Sequence, residues 1–192
     1  FGTESIPAVN KVVGPGNDYV TAAKLEVFGT VGIDAPQGPS EVLVIADAAA
    51  SPERVAQDLM AQAEHLSGAS AVLLSTSAEL IAGVEPLLSG EPAELITLVR
   101  VRDLHHAAEL SNLYAPEHVH VVCEDPEAVL NDLREAGLVA VGDFSPVALS
   151  DYAAGPSHAL PTGGAASWAS ALGTHDFTAR TSYVRFTREA LG

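Results

Sequence analysis

The chain has 192 residues, 47% of them hydrophobic and 18% charged, which suits one ordinary domain or a domain plus a fragment of another, with a substantial core, and rules against a disordered tail. Twenty-five acidic residues against nine basic ones give a net charge of −16 at pH 7. That field repels a phosphate backbone and no Lys/Arg cluster offsets it, which argues against nucleic-acid binding; the acidity reads as solubility.

In chain order, short β-rich runs alternate with helical patterns. Strands are expected at Val9–Val13, Glu41–Ala46, Ala71–Ser75, Leu95–Val101, His118–Val122, Leu138–Val141 and Ser182–Phe186. Several are almost wholly apolar, as in a parallel sheet covered on both faces. Helices fit Asn17–Val27, Ala78–Leu88, Asp103–Leu113 and Ala128–Ala136. Ser51–Pro52 and Asp125–Pro126 read as N-caps with proline in the first turn. In the helix after Ser51, residues Val55, Leu59, Ala63 and Leu66 form a stripe at helical spacing. Strand-helix pairs of this length predict an α/β layered fold with a mainly parallel sheet. Two Gly/Pro-rich stretches interrupt it, residues 29–40 and residues 151–164, the second too polar for a simple turn.

Cys123 is the only cysteine, so no intrachain disulfide forms, and its place after an apolar run predicts a small buried thiol. No window approaches the roughly 18 continuous apolar residues of a membrane span, and no basic region followed by an apolar stretch opens the chain. A reducing cytoplasm and no membrane partner are the expectations. The chain starts at Phe1 and enters a strand-like segment at once, which reads as the absence of an N-terminal part.

Four places carry possible chemistry. Gly14-Pro15-Gly16-Asn17 joins a strand to a helix; its glycines admit a close ligand and the helix N-terminus favours an anion, although a purely structural turn has the same form. Gln62 and His65 lie three apart at a helix end, close enough to share an ion; taken alone, His65 reads rather as a C-terminal capping histidine. Glu117 and His118 follow the helix-breaking Pro116, and a carboxylate beside an imidazole suits general-base work near neutral pH. Asp151 and His158 share one irregular loop and suit ligand or proton-carrier roles, or merely solvation. His105, His106, His120 and His175 read as surface or helix-face residues.

These motifs stand in one order with GTESIP, KVVGPGNDYVTAAK, FGTVGID, GPSEVLVIAD, DLMAQAEH, ELSNLYAPEHV, DYAAGPSHALPTGG and DFTARTSYV. In that ordered set the chain resembles a C-terminal portion of the histidinol dehydrogenases. The resemblance implies NAD-dependent, zinc-assisted oxidation of L-histidinol to L-histidine through L-histidinal, by a cytoplasmic homodimer. It implies that Gln62, His65 and Asp151 are three of four zinc ligands and that Glu117 and His118 are the catalytic bases. It implies that Ser40 and His158 contact substrate, alongside Gln62, His65, His118 and Asp151, and that Asn17 contacts NAD. The chain departs from the family pattern by lacking an N-terminal part and a C-terminal tail, which carries another zinc-ligand histidine from a partner subunit and a substrate-contacting glutamate. The segment between His65 and Glu117 is also shorter than in some members.

The resemblance therefore implies a division at residues 1–37, a remnant of a Rossmann-like NAD-binding domain; 38–171, the α/β domain with the zinc and catalytic residues; and 172–192, the start of a C-terminal segment. It also implies that these 192 residues alone bind zinc poorly and do not turn over. Two rival readings stay open: a related zinc/NAD dehydrogenase for another polar alcohol, such as a sulfonated propanediol, and a non-catalytic fragment.

Overall fold

The computed structural model describes residues 1–65, 68–150, 152 and 154–192. In the N-terminal stretch, β1 (Lys11–Val12) pairs in parallel with β2 (Gly32–Ile33) across α1 (Asp18–Val27). Asn17 caps α1, its Oδ1 accepting from the Val20 amide at 3.1 Å, which satisfies one of the helix's unpaired first amides. A charge pair, 2% exposed on both side chains, fixes the turn before α1. Lys24 Nζ lies 2.5 Å from Asp34 Oδ1 and donates to the Gly14 carbonyl at 3.0 Å, while Asp34 Oδ2 accepts from the Gly14 amide at 2.7 Å. Burial pushes the Asp34 carboxyl up, but the bonds from Gly14 and Lys24 outweigh it and hold it below the usual carboxylate range.

The main sheet starts at Glu41. It contains β3 (Glu41–Ala46), β4 (Ser70–Ser75), β5 (Ile96–Arg100), β6 (His118–Val122) and β7 (Leu138–Val141), in the spatial order β5-β4-β3-β6-β7, every pair parallel. Parallel neighbours cannot be joined by tight hairpins. The crossovers carry α2 (Pro52–Ala63), α3 (Ala78–Val84), α4 (Leu104–Tyr114) and α5 (Pro126–Leu130), and a short α6 (Val147–Ser150) follows β7.

The alternation of strand side chains divides the core. Val42 and Val44 pack with Val55, Leu59, Leu80 and Val84 on the face of α2 and α3. Leu43 and Ile45 pack with Ala107, Ala108, Val119, Val121 and Val129 on the face of α4 and α5. With both faces covered, a wholly apolar strand such as β3 is the expected sequence, and the predicted α/β layered fold is what forms.

Several elements differ from the sequence expectation. Residues 182–186 are not a strand; Tyr183 is 93% and Val184 75% exposed, and β-propensity without a neighbouring strand supplies no ladder. The first strand shrinks from Val9–Val13 to two residues, since its partner β2 is no longer. The helix expected at Ala128–Ala136 runs instead over Pro126–Leu130, because Asn112 on α4 captures the chain beyond it: its Nδ2 donates to Asp132 O, and its Oδ1 accepts from the Arg134 and Glu135 amides. Asp125 stands at the N-cap of α5 without a side-chain capping bond. Helix α3 ends at Val84 and a 3₁₀ turn carries Pro86. Of the α2 stripe, Val55, Leu59 and Ala63 are buried, whereas Leu66 lies outside the described residues. Among the described residues no helix is long and apolar enough to cross a membrane.

Leu59 is fully buried between α2 and the sheet. Leu59→Ala should destabilise the fold by about 2–5 kcal/mol, from lost transfer energy plus the cavity left behind. Urea unfolding followed by circular dichroism measures it, and a loss well below that range would mean that α2 packs loosely.

Candidate active site

Helix α2 begins at Ser51, whose Oγ accepts from the Arg54 amide at 3.4 Å, with Pro52 in its first turn. It leaves the carboxyl end of β3 and returns toward the amino ends of the strands. Gln62 lies in its last turn and His65 just beyond. His65 Nδ1 lies 3.0 Å from the Gln62 carbonyl, which also accepts from the His65 amide at 3.3 Å as the helix ends. When Nδ1–H donates there, Nε2 is the nitrogen able to ligate.

Helix α4 also returns to the amino ends. Its cap Ala115 has φ +48°, the left-handed conformation that closes a helix sharply. Pro116 then prevents continuation, so Glu117 falls at the mouth of β6 and His118 opens the strand. Gly137 is required beside them: a Cβ there would lie 2.6 Å from the Glu117 carbonyl.

The two strand mouths are tied by a crossed exchange. The Glu41 amide donates to Glu117 Oε2 at 3.0 Å, and the Glu117 amide donates to Glu41 Oε2 at 3.3 Å. The Gly163 amide, from the second Gly/Pro-rich stretch, also donates to Glu41 Oε2, at 3.2 Å. Burial pushes the Glu41 carboxyl up, helped by the charge of Glu117; the two amides and His118 pull it down without reversing the shift. Ser40 completes a chain: Gln62 Nε2 donates to Ser40 Oγ at 2.5 Å, and Ser40 Oγ donates to Glu117 Oε2 at 3.2 Å. His118 is 4% exposed; its Nδ1 donates to the Glu41 carbonyl at 3.1 Å and lies 3.5 Å from Glu117 Oε2. A carbonyl only accepts, so that bond places a ring proton on Nδ1.

Ser40, Gln62, His65, Glu117 and His118 thus meet on one cavity of about 170 Å³, which Asp58 also lines. Not every candidate joins them. His158 is exposed and does not line the cavity; Asn17 is exposed at the cap of α1. Asp151 lies outside the described residues. Among the described residues no three His, Cys, Asp or Glu side chains gather as a metal site.

Sequence reading missed Glu41, Asp58 and His120. A charged residue opening an apolar strand was the available signal for Glu41. For Asp58 it was the spacing one turn before Gln62. His120 is a correction: it is 5% exposed, not a surface residue, because β6 turns alternate side chains inward and His118 and His120 share the face under α2. Cys123 is half-buried; burial, then Asp47 and Asp125, push its thiol up to about 11, and it takes no part in this cavity.

The cavity lies at the amino ends of β3 and β6, where α2 and α4 end. Helix C-termini carry partial negative charge, so the place suits a cation, and the carbonyl-facing His65 and the Ser40-held Gln62 suit one too.

A family model described as histidinol dehydrogenase matches residues 1–192. The chain is 48% identical over 201 residues to the histidinol dehydrogenase of Chromobacterium violaceum, covering 98% of this chain and 46% of that one. It is likewise 48% identical over 202 residues to that of Aquifex aeolicus, covering 98% and 47%. The chain spans about half the length of these curated relatives. The crystal structure of histidinol dehydrogenase from Elizabethkingia anophelis superposes with TM-score 0.81 at 39% identity, over 91% of this chain and 43% of that one. An engineered glycolyl-CoA reductase with bound NADP+ shares the fold alone, at TM-score 0.54 and 15% identity, covering 81% and 51%.

Glu41→Gln keeps an oxygen for both amides and removes the buried charge. A carboxyl raised in the folded state costs stability as pH climbs from its unfolded value, about 4.3, through its folded one; below that window neither state is charged. The variant should therefore gain on the parent as pH rises through that range. Urea unfolding at about pH 4 and about pH 7 checks it; a difference independent of pH would remove Glu41 as a buried carboxylate.

Proposed function

We propose, from the premise that this chain belongs to the histidinol dehydrogenase family, that it carries the ligand-and-base part of a site oxidising L-histidinol to L-histidine through L-histidinal. The observation that supports this most is the meeting of Ser40, Gln62, His65, Glu117 and His118, from three stretches of chain, on one cavity. The enzyme would use NAD and zinc in the last steps of histidine biosynthesis, as a cytoplasmic homodimer.

The donor set fits zinc. With its nitrogen on Ser40, Gln62 has Oε1 left for a cation, and His65 has Nε2. Asp151 is assigned as a third ligand, and a partner subunit as the source of a fourth. Bound zinc would grip the substrate's amino and imidazole groups and orient its carbinol carbon. NAD supplies the hydride acceptor twice, and Asn17, at the positive end of α1, is the contact assigned to it.

The chain's own residues then divide the proton work. His118 Nε2 takes the hydroxyl proton as hydride leaves, while Nδ1–H stays on the Glu41 carbonyl and keeps the ring oriented. The carboxylate of Glu117, held by Ser40 and the Glu41 amide, draws a proton from water as it adds to the aldehyde. Ser40 and His158 are assigned to substrate contact. Residues 1–37 are assigned to a neighbouring NAD-binding domain, 38–171 to the catalytic domain and 172–192 to the start of a C-terminal segment. The 192 residues alone, offering two described ligands, are assigned little zinc affinity and no turnover.

In the complete enzyme, His118→Asn should depress both half-reactions by roughly 10²–10⁴-fold, the range for a lost general base. Glu117→Gln should spare alcohol oxidation more than aldehyde oxidation. NADH formation from histidinol and from histidinal separates the two. Equal damage by Glu117→Gln to both would end this division of labour, and turnover of dihydroxypropanesulfonate instead of histidinol would change the substrate.

A further inference from the structure

His120 and Asp58 are buried beside the cavity, and the proposed proton work uses neither. His120 Nδ1 lies 2.5 Å from Asp58 Oδ2, and Nε2 lies 2.9 Å from the Gly142 carbonyl. The side chains are 6% and 9% exposed. Carboxylate and carbonyl oxygens only accept, so a ring bonded to both donates from both nitrogens and is an imidazolium. The pair spans three elements: Asp58 on α2, His120 on β6, and Gly142 just after β7. Asp58 stands one helical turn before Gln62, and His120 stands two residues after His118 on the same strand face.

We propose that Asp58 and His120 are positioning residues, whose buried ion pair seats the helix end bearing Gln62 and His65 over the strand bearing His118. The inference rests on the assignment of Gln62 and His65 as zinc ligands. Such ligands must keep their place relative to His118 Nε2 to within fractions of an ångström, and α2 has no covalent restraint in that direction. A charge-assisted bond from mid-helix to the facing strand supplies one.

Among the described residues, three elements bring charged groups near the ring. From α2 come Asp58 and Arg54; from the loop after β7 comes Asp143, which holds Arg54 Nη1 at 3.0 Å; from β6 comes His118. Arg54 also stacks over the Phe144 ring at 4.7 Å, which keeps it on Asp143 and away from the imidazolium. Burial alone pulls the His120 ring down, but the bonds to Asp58 and Gly142 and the charges of Asp58 and Asp143 together hold it above its usual value. The pair's contribution is thus complete below about pH 6.5 and fades as pH climbs through the raised folded value.

The test uses the complete enzyme, because the 192 residues alone are assigned little zinc affinity. Long-range ¹⁵N–¹H correlation of the His120 ring near neutral pH should show both nitrogens protonated; a ring with one proton overturns the proposal without any substitution. His120→Leu and Asp58→Asn, checked for folding by circular dichroism, should each weaken zinc binding roughly 10-fold in chelator competition. The double variant should lose little more than either single one. Unchanged zinc affinity in both single variants overturns the proposal. If the parent binds no zinc, the ligand assignment itself falls; amide exchange in the last turn of α2 then decides, and exchange as slow in both variants as in the parent overturns the positioning role.

Discussion

At the amino ends of β3 and β6, each glutamate's carboxylate accepts the other's backbone amide. The exchange joins residues 76 apart in sequence and closes the sheet where two strand mouths would otherwise carry unpaired amides. Ser40, Gln62 and His118 hang from it. Glu117, so held, takes the Ser40 hydroxyl, which takes the Gln62 amide; the Glu41 carbonyl takes His118 Nδ1; the Glu41 carboxylate reaches the Gly163 amide. One pair of acids thus sets the orientation of a proposed ligand, a proposed proton acceptor and the loop that carries Gly163. Burial holds the Glu41 carboxyl above its ordinary range, with a smaller push from the charge of Glu117.

The end of the sheet at which the cavity forms matters for its chemistry. Open parallel sheets usually bind ligands outside the carboxyl ends of their strands, where helix N-termini favour phosphate. Here β3 and β6, neighbours where the strand order reverses, gather their polar residues at the amino ends, and α2 and α4 arrive with their C-termini. The backbone field there favours positive charge. A Gln–His pair on one helix end and a histidine at a strand start suit a cation and a cationic substrate. The N-terminus of α1, beyond the Gly14–Asn17 turn that Lys24 and Asp34 hold, favours an anion.

Among the described residues, two buried cations are each compensated by an acid. Lys24 has Asp34, and His120 has Asp58. Each pair joins segments that hydrophobic packing alone would leave free to slide, since apolar contacts are non-directional. Removing one partner would leave a buried charge exposed to the low-dielectric interior, which is why such pairs hold geometry more than they add stability.

The sequence by itself determined the layers and most of the elements. Apolar runs gave the strands from Glu41 onward, the Ser51 cap placed the start of α2, and the ordered motifs pointed to the family and to Gln62, His65, Glu117 and His118. These are local signals: a period, a cap or a motif lies within one stretch of chain. Only the tertiary structure decided that Glu41 and Glu117 exchange amides, that His120 is buried under Asp58, and that residues 182–186 stay outside any sheet. A charge in a strand says nothing of which strand lies beside it, and β-propensity says nothing of whether a free edge exists. Both depend on strand order and register, which the folded backbone fixes through hydrogen bonds between residues far apart in the chain.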